Sequence, residues 1–337
     1  MTATIKTIAK LAGVSHSTVS RALNGDPRIT PETIARIVRI AGEVGYTPNR
    51  AGRSLKTKRT YTLGFAVDSL ANPVHAEFLR GIEECLQGSD YSLLFAITRG
   101  RADAEARAMQ TFAEHGVDGI LICPSTVSPA VRRFLDETHI PVVLIHPLVD
   151  TDYRYTVMHD DWFGGYAATQ YLIAQGHRQI GYLGILDINR MNENRRAGYL
   201  SAMHDAGLSV SEGMIQAVQD GILSGSAGAL RRWLDNPSQR PTAIFCYDDL
   251  LAIGAMRALK DSALPVPGAI SVVGFDNIEM TAYTDPELTT FAQPKFEMGY
   301  RAAEMLLALL EKREGIEAPL TLRGQLIERA SVSPFAG

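Results

Sequence analysis

Ile8-Ala9-Lys10-Leu11-Ala12-Gly13-Val14-Ser15-His16-Ser17-Thr18-Val19-Ser20-Arg21-Ala22-Leu23-Asn24 reads as two short helices folded about a glycine. Residues 5–12 place Ile5, Ile8, Ala9 and either Leu11 or Ala12 on one face, and Gly13-Val14 then turns the chain. Ser15 is a suitable N-cap for a second helix through Leu23, in which Val19, Ala22 and Leu23 face inward before Asn24-Gly25 ends it. Thr30-Pro31-Glu32 supplies a cap and a first-turn proline for a third helix, with Ile34, Ile37, Val38 and Ala41 as its buried stripe. A second helix entered through a glycine turn can lie in the major groove of DNA, with its first side chains at base edges and its N–H groups near phosphate.

On that reading His16, Ser17 and Arg21 are the candidates for base contacts. Arg21 lies one turn after Ser17 and can meet a guanine edge with two hydrogen bonds, whereas Ser and His discriminate less. Ser15, Thr18 and Asn24 flank them, and Thr18 and Ser20 suit phosphates or neighbouring helices. Each residue alone has a plainer reading: Ser15 as a cap only, Ser17 as a solvated first-turn residue, His16 as a surface histidine.

Charge supports the groove reading. Residues 1–60 carry 11 Lys and Arg against 3 Asp and Glu, a local +8, so the remainder carries −12 of the total −4. A basic head on an acidic body brings only the head to a polyanion. Three separated cysteines, Cys85, Cys123 and Cys246, form neither a disulfide framework nor a zinc pattern and imply a reducing compartment. There is no apolar leader and no run long enough to span a bilayer, so a cytoplasmic protein without a membrane partner is expected.

From Tyr61 onward apolar strand-like runs alternate with amphipathic helices. The runs are 63–67, 92–97, 119–123, 142–145, 179–183, 243–246 and 271–274, and the helical patterns include 74–86, 102–114, 162–175, 195–206 and 250–260. Alternation of this kind implies parallel sheets with helices on both faces. So many strands point to two doubly wound lobes, with a late helix over 296–311 and two short strands near 320 and 327 returning the chain between them.

The segment from Thr7 to Arg21 closely resembles the opening of the lactose-repressor/galactose-repressor (LacI/GalR) family, through Thr7, Ile8, Leu11, Ala12 to Ser15 and Thr18 to Arg21. The likeness continues in Val44-Gly45-Tyr46-Thr47-Pro48-Asn49 and Arg53-Ser54-Leu55 and extends through nearly the whole chain. It implies an α/β protein: an N-terminal three-helix helix-turn-helix DNA-binding domain (1–48), a hinge (49–60), and a two-lobed, doubly wound parallel-sheet core of periplasmic-binding-protein-like type (61–337). Lobe 1 is placed at 61–160 and 293–320, lobe 2 at 161–292 and 321–337. In such proteins the hinge becomes helical on the operator and pushes a leucine into the minor groove, which makes Asn49 its cap and Leu55 the wedge, with Arg53 a further DNA-binding candidate and Lys56, Lys58 and Arg59 near phosphates. Gly52, where the family commonly has alanine, costs that helix about 1 kcal/mol.

The resemblance further implies a homodimer on a near-palindromic operator, acting as a repressor of carbohydrate-metabolism genes under control of a mono- or oligosaccharide. Ligands of open α/β sheets sit beyond the strands' C-terminal ends. Arg195 in Asn194-Arg195-Arg196-Ala197-Gly198-Tyr199, Asp276 after Ser271 to Phe275, and Asp248 after Ala243 to Cys246 are carried over as effector contacts. A carboxylate accepting from vicinal hydroxyls and an arginine donating to ring oxygens would make a polyol site, and an aspartate at 248 favours a hydroxyl-rich ligand over an anion. Asp161, Ser69 and Asn72 are further candidates, and Phe163, Tyr247 and Phe275 could offer an aromatic platform. Asp160 and Asp249 read as helix caps.

Rivals remain: a purine or other non-sugar effector, or a solute-binding protein, which the basic head and missing leader disfavour. Enzyme signatures are missing, with no GxGxxG after a strand, P-loop, HExxH or GxSxG, and the eight histidines are scattered along the sequence. No cofactor or metal is expected.

Overall fold

The computed structural model describes residues 4–23, 26–46, 59–186, 189–218, 222–236 and 239–335, apart from the side chains of 222–224. The chain divides into two compact units, Met1–Thr60 and Tyr61–Gly337. The first is built of α1 (Ile5–Ala12), α2 (His16–Leu23) and α3 (Pro31–Glu43). Local chemistry sets each boundary. Thr4 and Thr7 cap α1 reciprocally, each backbone N–H donating to the other's hydroxyl, and Gly13 at φ +66° ends it in a conformation that suits glycine. Ser15 accepts from the Thr18 N–H at 3.1 Å to start α2, and Thr30 caps α3 ahead of Pro31.

Ile8, Ala9, Ala12, Val19, Ala22, Ile37, Ile40 and Ala41 form the small core. Of the two alternatives on α1, Ala12 turns inward and Leu11 is 59 % exposed. One expected core position differs: on α3 the stripe runs through Ile37, Ile40 and Ala41 and leaves Val38 53 % exposed. A step of one residue rotates a helical side chain by about 100°, enough to carry Val38 off the buried face.

The second unit holds two six-stranded sheets. The first, lobe 1, has the order β11-β5-β4-β3-β1-β2, from β1 (Thr62–Val67), β2 (Ser92–Ile97), β3 (Gly119–Ile122), β4 (Val142–Ile145), β5 (Thr156–His159) and β11 (Leu320–Leu322). The second, lobe 2, has the order β12-β10-β9-β8-β6-β7, from β6 (Ile180–Ile185), β7 (Ile215–Val218), β8 (Ala243–Cys246), β9 (Ser271–Phe275), β10 (Thr289–Ala292) and β12 (Gln325–Ile327). Pairing is parallel except where β12 runs antiparallel to β10, a departure from the all-parallel expectation at the strand that returns the chain. The inner strands are buried on both faces, as their unbroken apolar runs require.

Helices cover each face. In lobe 1, α4 (Pro73–Leu86) and α11 (Lys295–Leu310) pack Phe78, Ile82, Met298 and Leu306 against Leu63, Phe65 and Leu121. On the other face α5 (Ala102–Glu114) and α6 (Pro129–Glu137) bring Met109, Phe112, Val131 and Leu135. In lobe 2, α7 (Asp161–Ala174) and α8 (Arg190–Asp205) bring Leu172, Tyr199 and Met203 against Tyr182, Phe245 and Phe275. Opposite them α9 (Ile222–Leu234) and α10 (Asp249–Asp261) pack Trp233, Leu251 and Leu259. The chain passes between the sheets three times, at β5 to α7, β10 to α11 and β11 to β12. The Asp160 N–H donates to Leu322 O at 3.0 Å, and Arg323 Nε donates to the Asp160 carboxylate at 3.1 Å, tying two of those crossings together. No described helix is long and apolar enough to cross a membrane.

Candidate functional site

In each sheet the strand order reverses direction between two neighbours, β1 and β3 in one, β6 and β8 in the other. Such a switch opens a crevice at the carboxyl ends of the strands. A cleft of about 380 Å³ lies there, lined from both lobes. Lobe 1 contributes Asp68 and Asn72 after β1, Cys123, Pro124 and Ser125 after β3, and His146 and Leu148 after β4. Lobe 2 contributes Asn189, Met191 and Arg195 from the start of α8, Tyr247 and Asp248 after β8, and Asp276 after β9, with Gln293 at the second crossing.

Arg195 organises the floor. It is 1 % exposed, and its guanidinium lies 3.7 Å from the Phe275 ring centroid and 4.7 Å from that of Tyr247. Nε donates to Asp161 Oδ1 at 3.0 Å, Nη1 donates to the Tyr247 carbonyl, and Nη2 lies 3.6 Å from Asp276 Oδ1. Burial alone would raise the Asp161 carboxyl, but His146 and Arg195 outweigh it and hold the group well below the ordinary carboxylate range. His146 is pushed down to about 4 by burial, so at neutral pH its Nε2–H is a neutral donor to Asp161 Oδ2 at 2.9 Å.

Asp276 sits at φ +105°, a strained conformation for a side-chain-bearing residue, held by its surroundings. Gln293 donates its side-chain amide to the Asp276 carboxylate, and Lys295 donates to the Asp276 carbonyl and, at 3.0 Å, to that of Asn277. The Gln293 Oε1 is buried without a hydrogen-bond donor. Burial raises the Asp276 carboxyl, and burial with the nearby Asp276 pushes Asp248 up to about 7. Asp248 also caps α10, accepting from the Leu251 N–H at 2.7 Å, so it is both cap and cleft wall.

The other candidates fall in different places. Asn72 lines the cleft and caps α4 through Val74 N–H, whereas the Ser69 hydroxyl accepts from Ala71 N–H in a local turn. Asp161 and Phe275 lie beneath the lining, each buried against Arg195. Phe163 packs on Phe291 and Arg323, away from the lining residues. Asp160 caps α7 through Phe163 N–H. Asp249 is no cap: burial raises its carboxyl, which accepts from Ile278 N–H at 2.8 Å and Thr290 Oγ1 at 2.6 Å and so braces the loop after β9.

Sequence reasoning singled out none of Asp68, Ser125, His146 and Gln293 as a contact. All four directly follow or lie just beyond strand ends, the signal that could have found them. Two scattered histidines also converge: His146, His159 and Asp161 place ligating atoms within 4.8 Å of one another. That spacing could hold a metal ion, but Asp161 is already neutralised by Arg195, and Arg190 lies 3.8 Å away, so a divalent cation would face guanidinium charge.

In the first unit, Ser15, His16, Ser17 and Arg21 are exposed and Thr18 is half-buried, opposite the buried Val19 and Ala22. The Ser15 hydroxyl bonds those of Ser17 and Thr18 at 2.7 and 2.9 Å, fixing the first turn. Asn24, Asn49, Arg53, Leu55 and Lys56 lie outside the described residues, as does all but the end of the 49–60 hinge.

Residues 4–49 match the model for bacterial regulatory proteins of the lacI family, and residues 169–332 match the periplasmic binding protein-like domain. The ribose operon repressor of Haemophilus influenzae is 34 % identical over 337 residues, covering 98 % of each chain. The HTH-type transcriptional repressor PurR of Vibrio atlanticus is 33 % identical over 332 residues, again 98 % of both. A solved LacI-family regulator from Enterococcus faecium with bound ribose superposes at a TM-score of 0.73 and 27 % identity, over 81 % of this chain and 99 % of that one.

Proposed function

The chain belongs to the LacI family of bacterial regulatory proteins, and on that premise we propose that it is a cytoplasmic, homodimeric repressor of carbohydrate-metabolism genes, controlled by a sugar bound between its lobes. The observation that carries the sugar reading is the cleft itself. Asp276 and Asp248 stand at converging strand ends and Arg195 near the start of α8, with side-chain donors and acceptors suited to hydroxyl groups. His16, Ser17 and Arg21 read bases from the exposed face of α2, and the segment 49–60 acts as a hinge with Leu55 as its minor-groove wedge. A sugar touching both lobes favours their closed arrangement only through its higher affinity for that state, and that difference is what reaches the operator.

A purine effector is the second reading, because a relative named for purine repression is as similar to this chain as the ribose repressor. One experiment bears on both halves of the proposal. Deletion of residues 1–60 is expected to abolish operator binding in a fluorescence anisotropy titration, while the remaining chain keeps a sugar-induced rise in Tm, worth about 2.7 kcal/mol at a hundredfold excess over Kd. Operator binding that survives the deletion refutes the DNA reading, and a thermal response to purine bases but to no sugar replaces the effector reading.

A further inference from the structure

Resting on the sugar reading of the cleft, we propose that the effector is an uncharged, donor-rich polyol, that sugar phosphates and sugar acids are rejected, and that Asp68 enforces this choice from lobe 1. The case is a census of charge and of unfilled hydrogen bonds. Carboxylates face the cleft from both sides, Asp68 in one lobe and Asp248 and Asp276 in the other. The cationic side chain in the lining, Arg195, is spent on Asp161, Asp276 and the Tyr247 carbonyl. Lys295, behind Asp276, donates to two backbone carbonyls.

The histidines of the wall are committed too. His75 Nδ1 is 2.8 Å from the Ser69 carbonyl and 3.2 Å from Asp68 Oδ1, and His146 serves Asp161. Among the described residues, then, no lining guanidinium or ammonium stands without an anionic partner. What is left over in the lining is acceptor capacity: Gln293 Oε1 is buried without a hydrogen-bond donor, and Asp68 Oδ1 has beside it the His75 Nδ1 that already serves the Ser69 carbonyl, while the buried Arg190 Nη2 lies outside the lining, 3.8 Å from the Asp161 carboxylate.

Hydroxyl groups supply donors, and phosphate or carboxylate groups supply only acceptors and negative charge. Putting an anion against Asp68 sets like charges together with no donor between them, the arrangement that suppresses wrong partners at interfaces. Asp68 follows β1 directly, so the strand fixes its position.

The test is calorimetric titration of the full chain with matched pairs, D-ribose against D-ribose 5-phosphate and D-glucose against D-gluconate, on the wild type and on Asp68→Asn. The neutral member of at least one pair is expected to bind, roughly a hundredfold or more tighter than its anionic counterpart. Asp68→Asn is expected to narrow that ratio by about tenfold while the variant still binds the neutral sugar. An anionic member that binds the wild type as well as its neutral partner, or a ratio unmoved by Asp68→Asn, overturns this inference and leaves the sugar reading standing. Binding by no member of either pair overturns both.

Discussion

At the scale of single residues, the cleft is governed by which groups keep their charge. Asp248, ordinarily a carboxyl near 3.8, is pushed up to about 7 by burial and by Asp276. A raised carboxyl stabilises the fold at low pH, and that contribution fades as pH rises through 7, because the folded chain holds the proton the unfolded chain has lost. The ionised form is the stronger acceptor for sugar hydroxyls, so effector affinity is expected to rise between about pH 5.5 and pH 8, by at most about tenfold per unit. Asp248→Asn should flatten that slope in calorimetric titrations, and an equally steep slope in the variant would assign the titration elsewhere. Arg195→Ala is expected to cost about 3–5 kcal/mol in chemical denaturation, since it strands Asp161 without its cation. A loss below about 1 kcal/mol would mean the pair is not what holds the floor. Arg195, Asp248 and Asp276 were legible because each sits in a recognisable local motif. His146 and Gln293 were not, because a reading that looks for acidic strand ends passes over a histidine and a glutamine in the same positions, and Asp68, an acidic strand end, gains its significance only from the carboxylates that converge on it from the other lobe.

At the scale of elements, both lobes use one device: helix pairs that touch through glycines. A Cβ on Gly165 of α7 would meet the Arg195 carbonyl at 2.2 Å, and one on Gly198 of α8 would meet that of Trp162 at 2.1 Å. Gly81 of α4 and Gly299 of α11 face the Phe296 and Phe78 carbonyls in the same way, at 2.0 and 2.1 Å. Gly165→Ala should therefore force α7 and α8 apart, destabilise the chain by about 1–3 kcal/mol and weaken effector binding through the displaced Arg195. Gly228→Ala on α9, where no atom lies within 4 Å of the added Cβ, should instead be neutral or stabilising by about 0.5–1 kcal/mol. Equal melting temperatures for the two variants would contradict this account of the packing.

The elements that sequence reading found are those with strong local signals. The capped, proline-started or glycine-stopped helices of the first unit belong here, as do the unbroken apolar strands such as Val142–Ile145. The strands it did not single out, Thr156–His159, Ile215–Val218 and Thr289–Ala292, are short and mix polar with apolar residues, so their pairing partners define them more than their own composition does. The antiparallel β12 was legible as a strand but not in its direction, which depends on the third crossing.

At the scale of the whole molecule, a basic head and an acidic, two-lobed body divide the work of holding DNA from that of sensing a metabolite. Linkage makes the two inseparable in energy: whatever factor the sugar imposes on operator affinity, the operator imposes on sugar affinity. The most direct test is therefore a pair of titrations on the intact protein at fixed salt, operator duplex with and without saturating sugar, then sugar with and without saturating operator. The account predicts that both affinities shift by one common factor of about 5–150. A duplex affinity untouched by every sugar that binds the cleft would contradict it.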